Sequence, residues 1–186
     1  MKNIEEVKTI NTFESEEELY TYALTSLNKR VGDFDQNLKI RNEASKGNIG
    51  HVMEVGFFGY DINSNINPDF ENLGVELKVT GYSTLKNGKT SAKERLVLSM
   101  IDFHNDYKYH FYNSTVYRKI DKILFMLYEY IADIDYYDFV ISNIYLYKFQ
   151  EIPEKDKAII LQDFKFIMQK IMNGNAHNLS ESDTFY

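Results

Sequence analysis

Pro68-Asp69-Phe70-Glu71-Asn72-Leu73-Gly74-Val75-Glu76-Leu77-Lys78-Val79-Thr80 is the stretch around which the rest of the chain can be ordered. Val75, Leu77 and Val79 alternate with Glu76, Lys78 and Thr80, the period of a half-buried strand. One face of that strand is apolar, and the other carries the Glu76 carboxylate beside the Lys78 ammonium. Asp69 stands in the approach, directly after a proline, so its carboxylate is expected near the same end. Paired carboxylates hold a hard, oxygen-seeking cation, and a lysine beside them orients or helps deprotonate an attacking water. The set suits magnesium-dependent hydrolysis of a phosphodiester. On pattern alone the same residues also read as a surface strand with a solvated Glu–Lys pair, and a second Glu-x-Lys occurs at Glu6-Val7-Lys8.

Upstream of the strand, Ile49, Val52, Met53 and Phe57 recur at helical spacing from Gly47, and Glu54 is the only acid on that helix. Farther upstream, Ser15-Glu16-Glu17-Glu18 reads as a capping box opening a helix with Leu19, Ala23, Leu24 and Leu27 at helical spacing. Residues 30 to 46 are polar and irregular. Downstream, strands are expected near 95–101, 123–131 and 138–148, the last two rich in Tyr, Phe, Ile and Val. Asn87-Gly88 signals a hairpin between the strand at 74–80 and the one at 95–101. Pro153 opens a final helix, lined by Ile160, Phe164, Ile167, Met168 and Ile171 and closed by Gly174. This succession predicts an α/β or α+β fold, a mixed β-sheet flanked by helices.

At 186 residues and 44% hydrophobic, the chain can bury one sizeable core, which points to a single domain. No apolar run approaches a membrane span, and the first residues lack the apolar centre of a signal peptide. The absence of cysteine excludes disulfides and thiolate metal sites and fits a reducing cytoplasm. His51, His104, His110 and His177 are not spaced as a zinc set, and no glycine loop of the phosphate-cradling kind is present. A net charge of −7 is unusual for a DNA-binding protein, because phosphate neutralisation supplies much of the affinity. The charge is segregated, however. Acids crowd the first and last helices, whereas Lys78, Lys86, Lys89, Lys93 and Arg95 follow the strand with only Glu94 opposing them. Arg118, Lys119 and Lys122 form a second basic group. Taken singly, each lysine reads as part of a solvated face; flanking the carboxylates, the two groups read as phosphate contacts.

Several passages follow one another in a telling order. They are Lys46-Gly47-Asn48-Ile49-Gly50-His51-Val52-Met53-Glu54, Phe57-Phe58-Gly59, the Asp69…Glu76-Leu77-Lys78 strand, LKNGKTSAKERLVL from Leu85 to Leu98, and Ser114-Thr115-Val116-Tyr117-Arg118-Lys119. Together they resemble the MutH family of DNA endonucleases, and within it the staphylococcal-type, GATC-cutting type II restriction endonucleases. The resemblance runs from the helix near Glu16 to Tyr186. It implies the PD-(D/E)xK restriction-endonuclease-like fold, Mg2+ as cofactor and double-stranded DNA as substrate. Asp69, Glu76 and the Leu77 carbonyl would hold the metal. Glu54, Asp69, Glu76, Lys78 and Lys119 would form the catalytic set, with Arg118 and Lys122 as near alternatives to Lys119. Lys46 matches a lysine at the DNA-facing start of its helix, and Lys86, Lys89, Lys93, Arg95 and Arg118 would meet the DNA. In the family, a basic, base-reading segment follows the position of Tyr186. Residues 1–186 are therefore expected to be a single MutH-like nuclease domain truncated before that segment, with a second MutH-like domain or copy as partner. The expectation is hydrolysis of duplex DNA at GATC, as the catalytic part of a type II enzyme. The alternatives are a mismatch-repair nicking endonuclease of the MutH type and a non-catalytic DNA-binding remnant of a duplicated endonuclease.

Overall fold

Strand β1 (Glu76–Thr84) is the axis on which the other elements are placed. The computed structural model describes residues 13–35, 40, 49–60 and 67–185. Beside β1 lie β2 (Thr90–Ala92), β3 (Lys122–Glu129) and β4 (Ile141–Lys148), in the sheet order β2-β1-β3-β4. β1 runs parallel to β3, whereas β2 and β4 are antiparallel to their neighbours. The helices are α1 (Glu16–Leu24), α2 (Ile49–His51, continued by the π-helical turn Val52–Phe57), α3 (Thr115–Ile120) and α4 (Glu154–Met172). The mixed sheet flanked by helices is the architecture expected from the succession of elements.

The two faces of the sheet are built differently. Leu77, Leu124, Met126 and Ile144 point into the larger core, where Leu19 and Ala23 of α1 and Val52 and Met53 of α2 pack with Phe13, Phe58 and Phe70. Ile123, Phe125 and Tyr147 point the other way, into a smaller core with Phe111, Ile120, Phe149 and the α4 residues Ile160 and Phe164. Register partners share a face. Glu76 lies opposite Ile123 and Lys78 opposite Phe125, so both charges belong to this second face. It is apolar along β3, where α4 covers it, and polar along β1. The functional candidates gather at that step in polarity.

Local chemistry sets the helix ends. Ser15 caps α1 by accepting the Glu18 N–H at 3.1 Å, and the Glu18 carboxylate reaches back to accept the Glu14 N–H at 2.9 Å, one residue before the Ser15 N–H that a capping box engages. α4 begins after Pro153 and ends in a Schellman motif: Asn175 N–H bonds to the Lys170 carbonyl at 2.8 Å and Gly174 N–H to Ile171 at 3.0 Å. Gly174 sits at φ 73°, a conformation that glycine adopts without strain.

Three expectations need correction. Leu24 ends α1 on its exposed side rather than in the core. The helix holding Ile49 to Phe57 is not α-helical throughout, since from Val52 it widens into a π-turn, closed by Phe58 N–H bonding to the Met53 carbonyl at 2.9 Å. Residues 95–101 form no strand, although the Asn87-Gly88 hairpin is present and pairs Tyr82 with Ala92 and Thr84 with Thr90. The ladder reaches one step farther, with Lys93 N–H on the Gly81 carbonyl at 2.9 Å. Continuing that register would set Leu77 opposite Val97 and would require the Leu77 N–H. That N–H is already bonded to the Asp69 carboxylate at 2.8 Å. With the edge of β1 taken, Val97 and Met100 remain exposed. Among the described residues, no helix is long and apolar enough to cross a membrane.

Candidate active site

Four elements converge on the polar end of β1. The alternation of the strand puts Glu76 and Lys78 on one face, as the sequence pattern requires. Asp69 arrives by a tight reversal in which Phe70 N–H bonds to the Val75 carbonyl at 2.8 Å and Leu73 N–H to Phe70 at 3.0 Å. Gly74, at φ 64°, supplies the left-handed turn residue. The reversal folds Asp69 back onto the strand it precedes, and its Oδ2 accepts the Leu77 N–H. In an extended strand the N–H and C=O of one residue point to the same edge. The Leu77 carbonyl therefore faces the side on which Asp69 lies.

Glu76 is the centre of the cluster. It is 3% exposed, with Lys78 Nζ 2.8 Å from one carboxylate oxygen and Lys119 Nζ 2.8 Å from the other. Lys119 comes from α3 and also donates to the Asn67 carbonyl at 2.7 Å, which ties that helix to the segment leading into Asp69. Among the three basic neighbours considered from sequence, the geometry separates the roles. Lys119 bonds Glu76. Arg118 is exposed on the wall of the cleft above it. Lys122 turns away, bonding Glu16 at 2.7 Å and the Leu73 carbonyl at 2.9 Å.

The π-turn of α2 carries Glu54 toward these groups. Gly56 in that turn packs so closely on Phe34 that an added Cβ would run into the Phe34 carbonyl oxygen. Burial pushes the Glu54 carboxyl above its ordinary range, against the pull of Lys78, and the Glu76 charge adds to the rise. Burial also pushes Asp69 up to about 6; the Glu76 charge adds to it, while the Leu77 N–H and Lys119 oppose it. Glu54, Asp69 and Glu76 thus sense one another's charge inside a partly dry site. Over Glu76, Lys78 and Lys119 opens a cleft of ≈ 660 Å³, walled by Met100, Asp102, Asn105 and Arg118.

Other candidates lie elsewhere. Lys86, Lys89, Lys93 and Arg95 are exposed on and after the β1–β2 hairpin. The far end of β1 is roughly 25 Å from Glu76 at about 3.3 Å per strand residue, so Lys86 and Lys89 at the hairpin tip lie away from the site. Lys93 sets its ammonium 3.9 Å from the centre of the Tyr130 ring, a cation–π contact. Lys46 lies outside the described residues.

Sequence reading missed Tyr60. It is 8% exposed, and its phenol is held far above the usual range by burial, with Asp69, Glu54 and Glu76 adding to the effect. Tyr60 follows the end of α2 and belongs to neither the helical nor the strand period, so no spacing signal marks it.

The donors present suit a divalent cation. All are oxygens, and the half-buried Glu54 and Asp69 carboxyls are pushed upward in pKa, a rise that a nearby positive charge would oppose. Among the described residues, no three histidine, aspartate or glutamate side chains are arranged as a complete metal cage. Magnesium in phosphoryl chemistry ordinarily takes only one or two carboxylates, with water and substrate phosphate filling the remaining positions. An open, incomplete set of this kind is compatible with that mode.

Comparison with known proteins agrees with the geometry. The family model of the DNA mismatch repair enzyme MutH matches residues 58–163, more than half of the chain, and that stretch contains Asp69, Glu76, Lys78 and Lys119. The type II restriction enzyme Sau3AI of Staphylococcus aureus is 39% identical over 142 residues, which are 76% of this chain and 29% of that protein. The chain thus spans under a third of the length of this relative. Its mixed sheet between helices is the PD-(D/E)xK nuclease fold, and the chain belongs to the MutH family.

Proposed function

We infer that the chain is the catalytic part of a type II site-specific deoxyribonuclease that hydrolyses duplex DNA at GATC with Mg2+ in the cytoplasm. The observation that carries this reading is the Glu76 carboxylate clamped between Lys78 and Lys119 beside Asp69. A purely structural ion pair does not require a second desolvated carboxylate next to it. Asp69 and Glu76, with the Leu77 carbonyl, would hold the metal, which when bound neutralises phosphate charge and lowers the pKa of water.

The residues themselves divide the remaining work. Lys78, already within hydrogen-bonding distance of Glu76, is placed to orient the attacking water and to stabilise charge developing on the phosphate. Lys119 supports the phosphate from the other side of Glu76. Glu54 completes the carboxylate cluster. The exposed Lys86, Lys89, Lys93, Arg95 and Arg118, together with Lys46, would follow the phosphate backbone away from the cleft. Such contacts fix affinity and register, not base sequence.

The test is cleavage of a GATC duplex by excess protein, with and without Mg2+, comparing wild type with Lys78→Ala. Magnesium-dependent cutting that Lys78→Ala abolishes is the expected result. DNA binding without any magnesium-dependent cutting would leave only the non-catalytic module. The family's mismatch-repair description favours strand nicking as the second reading. Nicked rather than linear plasmid product would select it.

A further inference from the structure

We propose that Asp106 is a positioning residue of this site: by holding the Thr115 hydroxyl it sets α3 so that Lys119 meets Glu76. The proposal rests on the nuclease reading and adds to it a residue and a role. Asp106 stands in the wall of the cleft that opens over Glu76 and is 2% exposed. One of its carboxylate oxygens accepts the Asp102 N–H at 2.8 Å, and the other accepts the Thr115 hydroxyl at 3.0 Å. Its own N–H bonds to the Asp102 carbonyl at 2.9 Å, which closes the turn in the cleft wall on itself. Both side-chain partners are neutral. A carboxyl group taken out of water onto neutral donors carries a desolvation cost that fastening a loop does not by itself require.

The helix it holds supplies the reason. α3 has six residues, less than two turns, and a helix that short has little stability of its own. Its direction is set by what it is fastened to. Val116 and Ile120 turn into the smaller core, and the Ser114 hydroxyl caps the helix by accepting the Tyr117 N–H at 3.1 Å. Thr115 is the first helical residue and Lys119 lies one turn on, so the two are neighbours on one face. Lys119 Nζ is shared between Glu76 at 2.8 Å and the Asn67 carbonyl at 2.7 Å. An unbroken series of hydrogen bonds therefore runs from the Asp102 turn through Asp106 to Thr115, on the face of α3 that carries Lys119.

Thr115→Val removes the hydroxyl and keeps the shape of the side chain, and Asp106→Ala removes the acceptor. Thr115→Ser and Asp106→Asn keep a bonded pair, since the asparagine carbonyl can accept the Asp102 N–H while its amide donates to the Thr115 hydroxyl. Two readouts are followed in the 186-residue protein. One is the slowly exchanging 1H–15N signal of the Lys119 ammonium, identified by its loss in Lys119→Met; the other is single-turnover cleavage of a GATC duplex with Mg2+. Both breaking variants are expected to lose the Lys119 signal and to cut about tenfold more slowly, the effect of a misplaced catalytic group, with duplex affinity nearly unchanged. Thr115→Ser and Asp106→Asn are expected to regain most of the signal and the rate. A Lys119 signal absent from wild type, one that persists in Thr115→Val, or one that neither conservative variant restores overturns the proposal. So does unfolding of both breaking variants, which marks the bond as structural. Wild-type protein that shows the Lys119 signal but cuts no DNA overturns the nuclease reading itself, which keeps the two failures distinct.

Discussion

The two ends of β1 carry the same kinds of charge in opposite surroundings. At the Glu76 end, Lys78 and Lys119 are 21% and 13% exposed and bond a carboxylate that is almost fully buried. At the hairpin end, Lys86, Lys89, Lys93 and Arg95 stand in solvent beside an equally exposed Glu94. Coulomb interactions in the first region are worth several times those in the second, because water screens the exposed charges. Burial converts a Glu–Lys pattern into chemistry, while exposure leaves a diffuse field along which a polyanion can lie. The acidic net charge is therefore compatible with the proposed DNA substrate, since it says little about the sign of the field on one edge.

The contrast breaks most easily at the buried end. Lys78→Ala or Asp69→Asn should reduce single-turnover cleavage by about 10²–10³-fold, the cost of removing one preorganised electrostatic group, whereas Lys89→Ala should change it only a few-fold. Equal losses at both ends would remove the distinction. Glu76→Ala leaves two ammonium groups facing each other with no carboxylate between them. It should cost about 2 kcal/mol of stability in urea unfolding, short of the range for fully dry pairs because both lysines keep some water. Glu94→Ala, on the exposed arm, should stay within about 0.5 kcal/mol of wild type.

A pH series sharpens the same point. The folded-state pKa of Asp69, about 6, lies above its ordinary value of 3.8, so the folded protein holds this proton more tightly than the unfolded chain. The stability this group contributes is therefore complete below about pH 4 and is lost as the pH rises through 6. Metal-free protein should weaken across that window by on the order of 2 kcal/mol at 1.36 kcal/mol per pKa unit. Asp69→Asn should flatten the slope, as followed by thermal unfolding. Gly56→Ala tests the support beneath Glu54. Its Cβ has to displace the Phe34 carbonyl, and overpacking of this kind costs roughly 1–3 kcal/mol; cleavage should fall with it as Glu54 shifts. The smallest effects belong to the exposed track. Arg95→Gln should weaken duplex binding a few-fold and lower the salt slope by about one. Lys122→Ala, whose ammonium is engaged with Glu16, should leave DNA affinity unchanged in the same titration.

The periodicities that needed only local information were legible. Alternation from Val75 to Thr80 identified β1 and put Glu76 beside Lys78. Pro153 and Gly174 bracketed α4, and Asn87-Gly88 marked the hairpin, because each acts through its own backbone preferences. The course of 95–101 was not legible. Its alternating Leu96, Leu98 and Met100 favour a strand, yet a strand also needs a free edge, and the Asp69 carboxylate occupies the edge it would use. The side chain of Asp69, well upstream of that segment and engaged in a tertiary hydrogen bond, outweighs local propensity there.

The same boundary runs through the site. By itself the sequence determined which residue types stand on one face of β1, and so which chemistry the strand can support. Only the tertiary structure decided that Lys119 rather than Lys122 meets Glu76, since both lie within one short stretch and their direction depends on how α3 packs against the approach to Asp69. It likewise decided the inward aim of Glu54, through a π-turn that shifts the helical register, and the nearness of Tyr60 to three carboxylates. Alternation and capping are properties of neighbours along the chain. Burial, pairing and the fate of an edge hydrogen bond depend on segments that meet only after folding.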